Sequence, residues 1–548
     1  MRHFRSPDCT TSENALLVSC CLLLSCFGFA AAEGSDIVLL FTNDVHCGVD
    51  DNLGYAGLAA YAKQLRAEGL QVMLVDAGDA VQGAAIGTLS NGEYLTDIMN
   101  EVGYGVAVPG NHEFDYGMAQ FFALRAKANF PYVSCNFTDL RIGESVLDPY
   151  VIKDFDGLKI AFVGICTPQT ITSSTPKYFQ DEAGEFIFGF QQDESGAALY
   201  ACVQNAVDAA RAEGADLVVA VAHLGIDEAS SPWTASEVIA NTTGINALID
   251  GHSHSVVAAK VLDKEGKTVV HMQTGTKLAN IGQLTISADG SRIEGALVSN
   301  YTGKDAETEA FIEDIKAKFE SLLKEVVAKT DVDLITVDPE SGERIIRNAE
   351  TNLADLCTDA YKAVSGAEIA FVNGGGIRAD IPAGDITYEQ VIAVHPYGNK
   401  LTVVEATGQQ ILDCLEYGAY KWPSEFGGWQ EVAGLTFEFH TYIESSVQRD
   451  ENGMFAGVTG EYRVKNVMVN GEPLDLEKTY TVASHNYMLK DGGDGFNMFQ
   501  GDKILQDEVM LDNQVLITYI RDYLGGVVGE EYSDVYGQGR ITFVTEAE

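Results

Sequence analysis

The chain has 548 residues, a hydrophobic fraction of 46% and a formal net charge of −45 at pH 7. The length exceeds what one hydrophobic core usually serves, so we expect two or three domains, and the apolar fraction excludes an intrinsically disordered protein. The acidic charge excludes a nucleic-acid polymer as the main partner, because binding to phosphate backbones needs clustered lysine and arginine.

Residues 1–32 have the three-part pattern of a secretory signal peptide. Basic residues precede an apolar stretch over 15–29, and three alanines end at Ala32. The stretch is shorter than the ~20 residues of a spanning helix, and no later segment is apolar enough to span a bilayer. We expect an exported protein, periplasmic, cell-surface or secreted, with no transmembrane span in the mature chain. An uncleaved anchor and lipid modification at Cys20 or Cys26 stay open.

Six cysteines follow this leader, scattered singly and not in the close pairs that bind zinc or carry redox chemistry. We expect small buried side chains, although export would permit one or two disulfides. The six are Cys47, Cys135, Cys166, Cys202, Cys357 and Cys414.

Residues 33–303 alternate short apolar runs with polar turns and helical patterns, such as the one over 57–67. The runs cover 37–41, 72–75, 105–108, 160–165, 217–221, 247–249 and 269–272. Continuous apolar runs of this length indicate strands that are covered on both faces. The sequence therefore predicts an α/β sandwich for this first domain.

A charged helical pattern over 304–328 and a turn-rich segment after it interrupt the alternation. We interpret residues 304–342 as a linker helix and joint between two domains. The second domain, 343–548, mixes strands with helices, and its Asn470-Gly471 pair predicts a β-hairpin. The helical patterns cover 351–364, 408–418 and 513–524.

Polar side chains follow the apolar runs of the first domain in an ordered series. The series is Asp44, His46, Asp79, Asn111, His112, His223, His252 and His254. The ends of strands in a doubly covered sheet meet in one cleft. One such residue alone is more often structural, but the ordered series predicts a metal centre. The other histidines that we weighed, His271, His395, His440 and His485, are expected to be structural.

Carboxylates, imidazoles and an amide oxygen suit two divalent ions, zinc or manganese above all, with iron, cobalt or magnesium as alternatives, and not calcium. Two such ions stabilise the charge of an in-line displacement at phosphorus.

These motifs resemble the calcineurin-type metallophosphoesterases, and the chain after the leader resembles the secreted bacterial 5′-nucleotidase and UDP-sugar hydrolase family. The resemblance implies a four-layer α/β/β/α sandwich followed by an α+β substrate-binding domain. It assigns one ion to Asp44, His46, Asp79 and His254. It assigns the other ion to Asp79, Asn111, His223 and His252. It also implies that His112 and Asp115 form a catalytic dyad.

The second domain carries a glycine-rich segment from Asn373 to Arg378 after an apolar strand, where glycines let the backbone approach a ligand closely. By the resemblance, the substrate contacts would be Arg347, Asn373, Gly375, Arg378, Tyr397, Asn399, Tyr487 and Asp494. Two rings would clamp the base. One is Tyr397, and the other is Tyr487, with Met488 as the alternative because this loop is one residue longer than the family pattern.

The expected activity is hydrolysis of nucleoside 5′-monophosphates by hydroxide attack at a two-metal centre. Nucleoside di- and triphosphates are further candidate substrates of the same activity. Alternatives with the same metal site are 2′,3′-cyclic nucleotides, UDP-sugars, dinucleotides and thiosulfonates as substrates. The alternative of another class is a surface nucleotide-binding protein without turnover. The sequence leaves open the preferred base, the metal and the oligomeric state.

Overall fold

The computed structural model describes residues 34–546. The predicted signal peptide, with Cys20 and Cys26, lies outside the described residues. Among residues 34–546, no helix combines the length and the apolarity needed to cross a membrane. The six cysteines after the leader are free thiols, and all but Cys202 are buried.

Two β-sheets form the centre of the first region. The first sheet has the strand order Ile293–Val298, Ile281–Ile286, Ile37–Thr42, Gln71–Asp76 and Tyr104–Ala107. The second has the order Val256–Leu262, Thr268–Thr274, Ala247–Ile249, Leu217–His223, Leu158–Cys166 and Tyr150–Phe155. Three short strands form a small additional sheet: Glu144–Ser145, Thr138–Asp139 and Phe188–Gly189.

Each central strand is covered on both faces. In the strand Leu217–His223, Val219 shares a hydrophobic cluster with Leu40 of the first sheet. Its neighbour Val218 shares another cluster with Val203 of the helix Ala197–Ala212. Because successive side chains of a strand point to opposite faces, one uninterrupted apolar run serves both layers. The predicted α/β sandwich is confirmed.

The helices of this region and of the segment after it lie between the strands along the chain. They are Gly54–Ala67, Ala85–Ser90, Glu93–Val102, Met118–Lys127, Thr170–Ser173, Ala197–Ala212, Ala235–Asn241, Ala306–Lys316 and Glu320–Leu323.

The second region is built on a five-stranded sheet with the order Gln430–Ala433, Ile369–Asn373, Thr479–His485, Leu401–Thr407 and Lys503–Gln506. The other sheets contain Glu472–Pro473, Val464–Val469, Leu435–His440 and Ile541–Val544; Gly384–Thr387, Val326–Thr330 and Val527–Val528; and Val447–Arg449 with Phe455–Val458. The helices are Asn352–Ser365, Tyr388–Val394, Gly408–Gly418, Asn486–Leu489 and Asp512–Thr518, and a π-helical turn follows at Tyr519–Tyr523.

The charged segment 304–328 is helical only in part. Its helices end at Leu323, and Val326–Thr330 is a strand that pairs with Gly384–Thr387 and Val527–Val528. The helical prediction for 326–328 was therefore wrong, because β-branched Val326 and Val327 are drawn into a sheet of the second region. The domain boundaries at 303 and 343 stay predictions.

Candidate active site

The carboxyl ends of parallel strands from both sheets meet at one edge of the first region. Ile37–Thr42 and Gln71–Asp76 run parallel, as do Leu158–Cys166, Leu217–His223 and Ala247–Ile249. The loops that follow bring Asp44, His46, Asp79, Asn111, His223, His252 and His254 together. This edge is where ligands bind in such folds.

Three overlapping groups of candidate metal ligands lie side by side here. They are Asp44, His46 and His254; Asp79, His223 and His252; and His46, Asp79 and His112, with ligand atoms within 4.8 Å of one another in each group. The first two are the groups that carry the predicted ligands. Asp79 faces both groups, because its Oδ2 lies 3.1 Å from His223 Nε2 and 3.8 Å from His46 Nε2. Asp79 is thus placed where a bridging carboxylate is needed.

Two of the imidazoles have the protonation state that a metal ligand needs. Burial lowers the pKa of His46 and of His254 well below the usual range, so both imidazoles are neutral and keep a lone pair. Burial lowers the pKa of His223 too, but the carboxylates of Asp79 and Asp44 outweigh burial and raise it to about 10, so His223 would have to lose a proton to bind a cation. Burial raises the pKa of Asp44 to about 7, more than the neighbouring His223 lowers it.

A buried acceptor atom also indicates a cation site. Asn111 Oδ1 is shielded from solvent and has no hydrogen-bond partner among the described residues. Such an atom is costly unless a cation binds it. The donor set of nitrogen and oxygen atoms fits zinc, manganese or iron better than calcium.

Five of the predicted metal ligands have a left-handed backbone. The φ angles are 49° for Asp44, 46° for His46, 59° for Asp79, 81° for His252 and 55° for His254. Residues with a side chain rarely adopt this region, and such strain concentrates at functional sites. No sequence pattern indicated this left-handed backbone conformation.

Glu113 directly follows His112 in the motif Gly110-Asn111-His112-Glu113, but the sequence analysis gave it no role. It is 2% exposed, and its carboxylate accepts hydrogen bonds from the backbone N–H of Asp79 (2.8 Å), Ala80 (2.8 Å) and Gly110 (2.6 Å). It ties together the two loops that carry Asp79 and Asn111. A Cβ at Gly110 would lie 2.3 Å from Asp79 Oδ1, so only glycine fits there.

Gln169 was also missed, because it comes from a loop far along the chain. Its Oε1 lies 2.8 Å from His252 Nε2 and accepts a 2.9 Å hydrogen bond from Ser230 Oγ. An amide oxygen only accepts, so His252 Nε2 carries the proton. His252 Nδ1 is then the nitrogen left for a cation, and Gln169 fixes that choice.

The predicted dyad is formed in the structure. His112 Nδ1 lies 2.5 Å from Asp115 Oδ2, and Ser174 Oγ donates to Asp115 Oδ1 at 2.9 Å. Burial lowers the pKa of His112, but the carboxylates of Asp115 and Asp79 outweigh burial and raise it above the usual value. Because Nδ1 is engaged by Asp115, Nε2 is the atom available to a ligand.

One cavity of about 590 Å³ connects this centre with the second region. Its walls include Asp79, Asn111, His112, Asp115, His252 and His254. They also include all eight residues expected to bind substrate: Arg347, Asn373, Gly375, Arg378, Tyr397, Asn399, Tyr487 and Asp494. Asp44 and His223 lie behind this wall and are fully buried.

Three arginines face the metal-binding side chains. Arg344, Arg347 and Arg378 line a smaller cavity of about 120 Å³ together with His46 and His254. Burial, followed by repulsion from the other two arginines, lowers the pKa of Arg347 to about 9. Like charges gathered in this way form a site for an anion. Arg344, which the sequence analysis did not include, is held by a two-bond contact with Glu425.

Two tyrosines also line the cavity, Tyr397 and Tyr487. The Tyr397 ring lies 5.6 Å from the His112 ring at an angle of 30°. Tyr487 donates from its hydroxyl to Thr172 O at 3.0 Å and lines the cavity, whereas Met488 is fully buried in the hydrophobic core. Of the two alternatives for the second ring, Tyr487 is the one that a ligand can reach.

Comparisons with known proteins identify related families for both regions of the chain. A model of calcineurin-like phosphoesterases matches residues 37–256, and a model of the 5′-nucleotidase C-terminal domain matches residues 326–501. The chain is 26% identical to a 5′-nucleotidase of Vibrio parahaemolyticus over 540 residues, covering 89% of each chain. It is 28% identical to the trifunctional nucleotide phosphoesterase protein YfkN of Bacillus subtilis over 85% of its own length, but spans only 32% of that protein.

Among solved structures, the 5′-nucleotidase precursor of Thermus thermophilus superposes with a TM-score of 0.77 at 26% identity. The match covers 93% of this chain and all of the Thermus chain. The two-region architecture is therefore shared along nearly the whole length.

Proposed function

Since the chain belongs to the family that joins a calcineurin-like phosphoesterase domain to a 5′-nucleotidase C-terminal domain, and is a metal-dependent phosphoester hydrolase, we propose that it hydrolyses nucleoside 5′-monophosphates to nucleoside and phosphate. One observation carries this proposal. A single cavity joins the metal-binding side chains to a triad of arginines, two aromatic rings and the carboxylate of Asp494.

Two divalent ions would be held by seven side chains, with Asp79 shared. Asp44, His46, Asp79 and His254 would hold one ion, and Asp79, Asn111, His223 and His252 the other. When bound, the ions supply Lewis-acid stabilisation of the phosphoryl oxygens and lower the pKa of water at neutral pH. Zinc or manganese is our choice, and metal analysis of the purified protein tests it.

We expect two arginine side chains to bind the phosphate group of the substrate. Arg347 and Arg378 present planar guanidinium groups to its oxygens, and these groups match the geometry of phosphate. His112 Nε2 would face the reacting group, and Asp115 at Nδ1 favours the protonated imidazole, which could stabilise charge or transfer a proton to the leaving oxygen.

The nucleoside is held by the second region. Tyr397 and Tyr487 offer aromatic faces to the base, which is a contact that tolerates any of the bases. Asp494 accepts hydrogen bonds from ribose hydroxyls, while Asn373 and Asn399 orient the substrate. Gly375 lines the same cavity, and its N–H donates to Gly427 O at 2.7 Å; a Cβ there would lie 2.8 Å from Gly427 Cα, so glycine lets these two segments of the cavity wall approach each other.

Product analysis by chromatography on a substrate panel tests the reaction, because hydrolysis of a cyclic nucleotide or of a UDP-sugar does not itself release inorganic phosphate. The full mature chain is stripped of metal, reloaded with zinc or manganese, and offered AMP, a 2′,3′-cyclic nucleotide and a UDP-sugar at equal concentration. We expect the highest kcat/KM for AMP, and no product before metal is added. Faster turnover of either other substrate would contradict the proposal, and nucleotide binding without turnover would indicate a non-catalytic binding protein.

We also propose that the protein is exported, on the basis of the signal pattern in residues 1–32. N-terminal sequencing of protein recovered from outside the cytoplasm tests this proposal. A new N-terminus next to Ala32 is the expected result, whereas a retained leader would indicate an anchored form.

A further inference from the structure

His485 is a buried histidine that lies next to the nucleoside side of the cavity. It ends the strand Thr479–His485, which runs parallel to Ile369–Asn373. Parallel neighbours end at the same edge, so the last residues of the two strands meet. His485 is 2% exposed, and its Nε2 lies 2.9 Å from Asn373 Oδ1.

The hydrogen bonds around Asn373 fix the direction of this contact. Asn373 Nδ2 faces two acceptors, Asp494 Oδ2 at 2.7 Å and Gly427 O at 3.2 Å. Because only the NH₂ end of the amide satisfies two acceptors, Oδ1 must point to His485. His485 Nε2 therefore carries the proton and donates to Asn373.

The state of His485 agrees with this assignment. Burial lowers its pKa to about 3, so the imidazole is neutral and has one donor nitrogen. Its other nitrogen, Nδ1, has no hydrogen-bond partner within the described part of the chain. The proton on Nε2 thus makes the one hydrogen bond that the ring offers to its surroundings.

Asp494 depends on Asn373 for the orientation of its carboxylate. Its backbone is left-handed, with φ 53°, and is held by Tyr487, whose hydroxyl accepts from Asp494 N at 3.0 Å, and by Tyr417, whose hydroxyl donates to Asp494 O at 2.9 Å. These bonds fix the main chain. The Asn373 amide donates to one carboxylate oxygen at 2.7 Å, and the Tyr487 hydroxyl lies close enough to stabilise the carboxylate as well, so the two side chains together hold the rotamer.

We infer that His485 is a positioning residue that makes the site selective for ribose hydroxyls, acting through Asn373 on Asp494. It holds the Asn373 amide in the one orientation that presents an N–H to Asp494. Without that donor the amide can turn over, and its oxygen would then face the carboxylate and repel it. The inference rests on the proposed function, in which Asp494 accepts hydrogen bonds from ribose.

Nucleoside binding tests this role separately from phosphate chemistry. Isothermal titration calorimetry of the full, metal-loaded chain compares adenosine with 2′,3′-dideoxyadenosine, which lacks both hydroxyls. His485→Phe removes the donor and keeps a ring, whereas His485→Gln retains an N–H at a similar reach. Asp494→Asn is the benchmark for loss of the ribose contact.

The wild type should bind adenosine more tightly than dideoxyadenosine. In His485→Phe the affinity for adenosine should fall about tenfold, equivalent to about 1.4 kcal/mol, while dideoxyadenosine is unaffected. His485→Gln should recover most of the loss. With AMP as substrate, KM of the phenylalanine variant should rise about tenfold and kcat should stay within about twofold of wild type.

An equal loss of affinity for both nucleosides in His485→Phe, or no recovery in His485→Gln, would overturn the inference and leave a packing role only. A wild type that does not distinguish the two nucleosides would overturn it as well. If His485→Phe does not fold, His485→Met replaces it in the same comparison with His485→Gln. The wild type could prefer adenosine, and His485→Phe could lose that preference, in a protein that releases no phosphate from AMP. That result would refute the proposed function but support the role of His485.

Discussion

Replacing Glu113 by glutamine should destabilise the protein and weaken metal binding without touching a metal ligand. In the native chain, Oε2 accepts from the N–H of Asp79 and of Gly110, and Oε1 accepts from the N–H of Ala80. A glutamine supplies one acceptor oxygen and one donor NH₂. At least one backbone N–H would then face another donor in a buried position.

The magnitude follows from the three bonds. A hydrogen bond to a charged group contributes about 1.5–3 kcal/mol, and a neutral one about 0.5–1.5 kcal/mol. If the amide oxygen takes the place of Oε2, the bond to Ala80 N–H is lost and the other two become neutral. We expect the free energy of unfolding to fall by about 3.5–6 kcal/mol. Metal affinity should fall about 10-fold or more, as for other groups that orient ligands.

Urea unfolding of the metal-free protein measures the stability, and calorimetric titration with Mn²⁺ measures the affinity. Glu182→Gln is the matched control, because Glu182 is exposed and the same atoms are exchanged there. A Glu113→Gln protein whose unfolding free energy and Mn²⁺ affinity equal those of the control would refute the view that this carboxylate joins the two ligand loops.

Three further predictions concern the cavity itself. Asp79→Asn should abolish phosphate release and lower the number of bound ions per chain, which metal analysis would reveal; full activity in this variant would contradict a shared ligand. Tyr397→Ala should raise KM for AMP about tenfold with a smaller change in kcat, because a base–aromatic contact contributes about 1–3 kcal/mol; an unchanged KM would exclude Tyr397 from the base site. Adenosine binding should weaken as pH falls through about 6, because burial raises the pKa of Asp494 to about 6 and only its carboxylate form accepts two hydroxyls. Calorimetry across pH 5–8 tests this, and Asp494→Asn should show a flat profile over the same range.

The fold and the ligand series could be predicted because both depend on local order in the sequence. The apolar runs around 37–41 and 217–221 had to be strands covered on both faces, and the residues after them had to meet at one edge. The run of Val326, Val327 and Ala328 was misread as helix because its strand partners, Gly384–Thr387 and Val527–Val528, are distant in the chain. Local pattern carries no information about such partners.

The supporting residues of the site escaped prediction for the same reason. Gln169 is identified by its contact with His252, 83 residues away, and His485 by its contact with Asn373, 112 residues away. Gln169 has no predicted site residue near it in the sequence, and His485, although two residues before Tyr487, was expected to be structural. Glu113 is the exception, since it directly follows His112 in a segment that already carries two predicted site residues.

The two halves of the cavity are not independent, and this links nucleoside binding to the chemistry. Tyr397 from the second region covers one face of His112, while Asp115 holds the imidazole at Nδ1. Tyr487 donates to Thr172 O, two residues before Ser174, which donates to Asp115. Both rings that would clamp the base therefore contact the surroundings of the dyad. Under the proposed function, occupancy by a nucleoside would stabilise these contacts, and part of its binding energy would serve to orient His112. A phosphate ester without a nucleoside should consequently lose kcat as well as affinity.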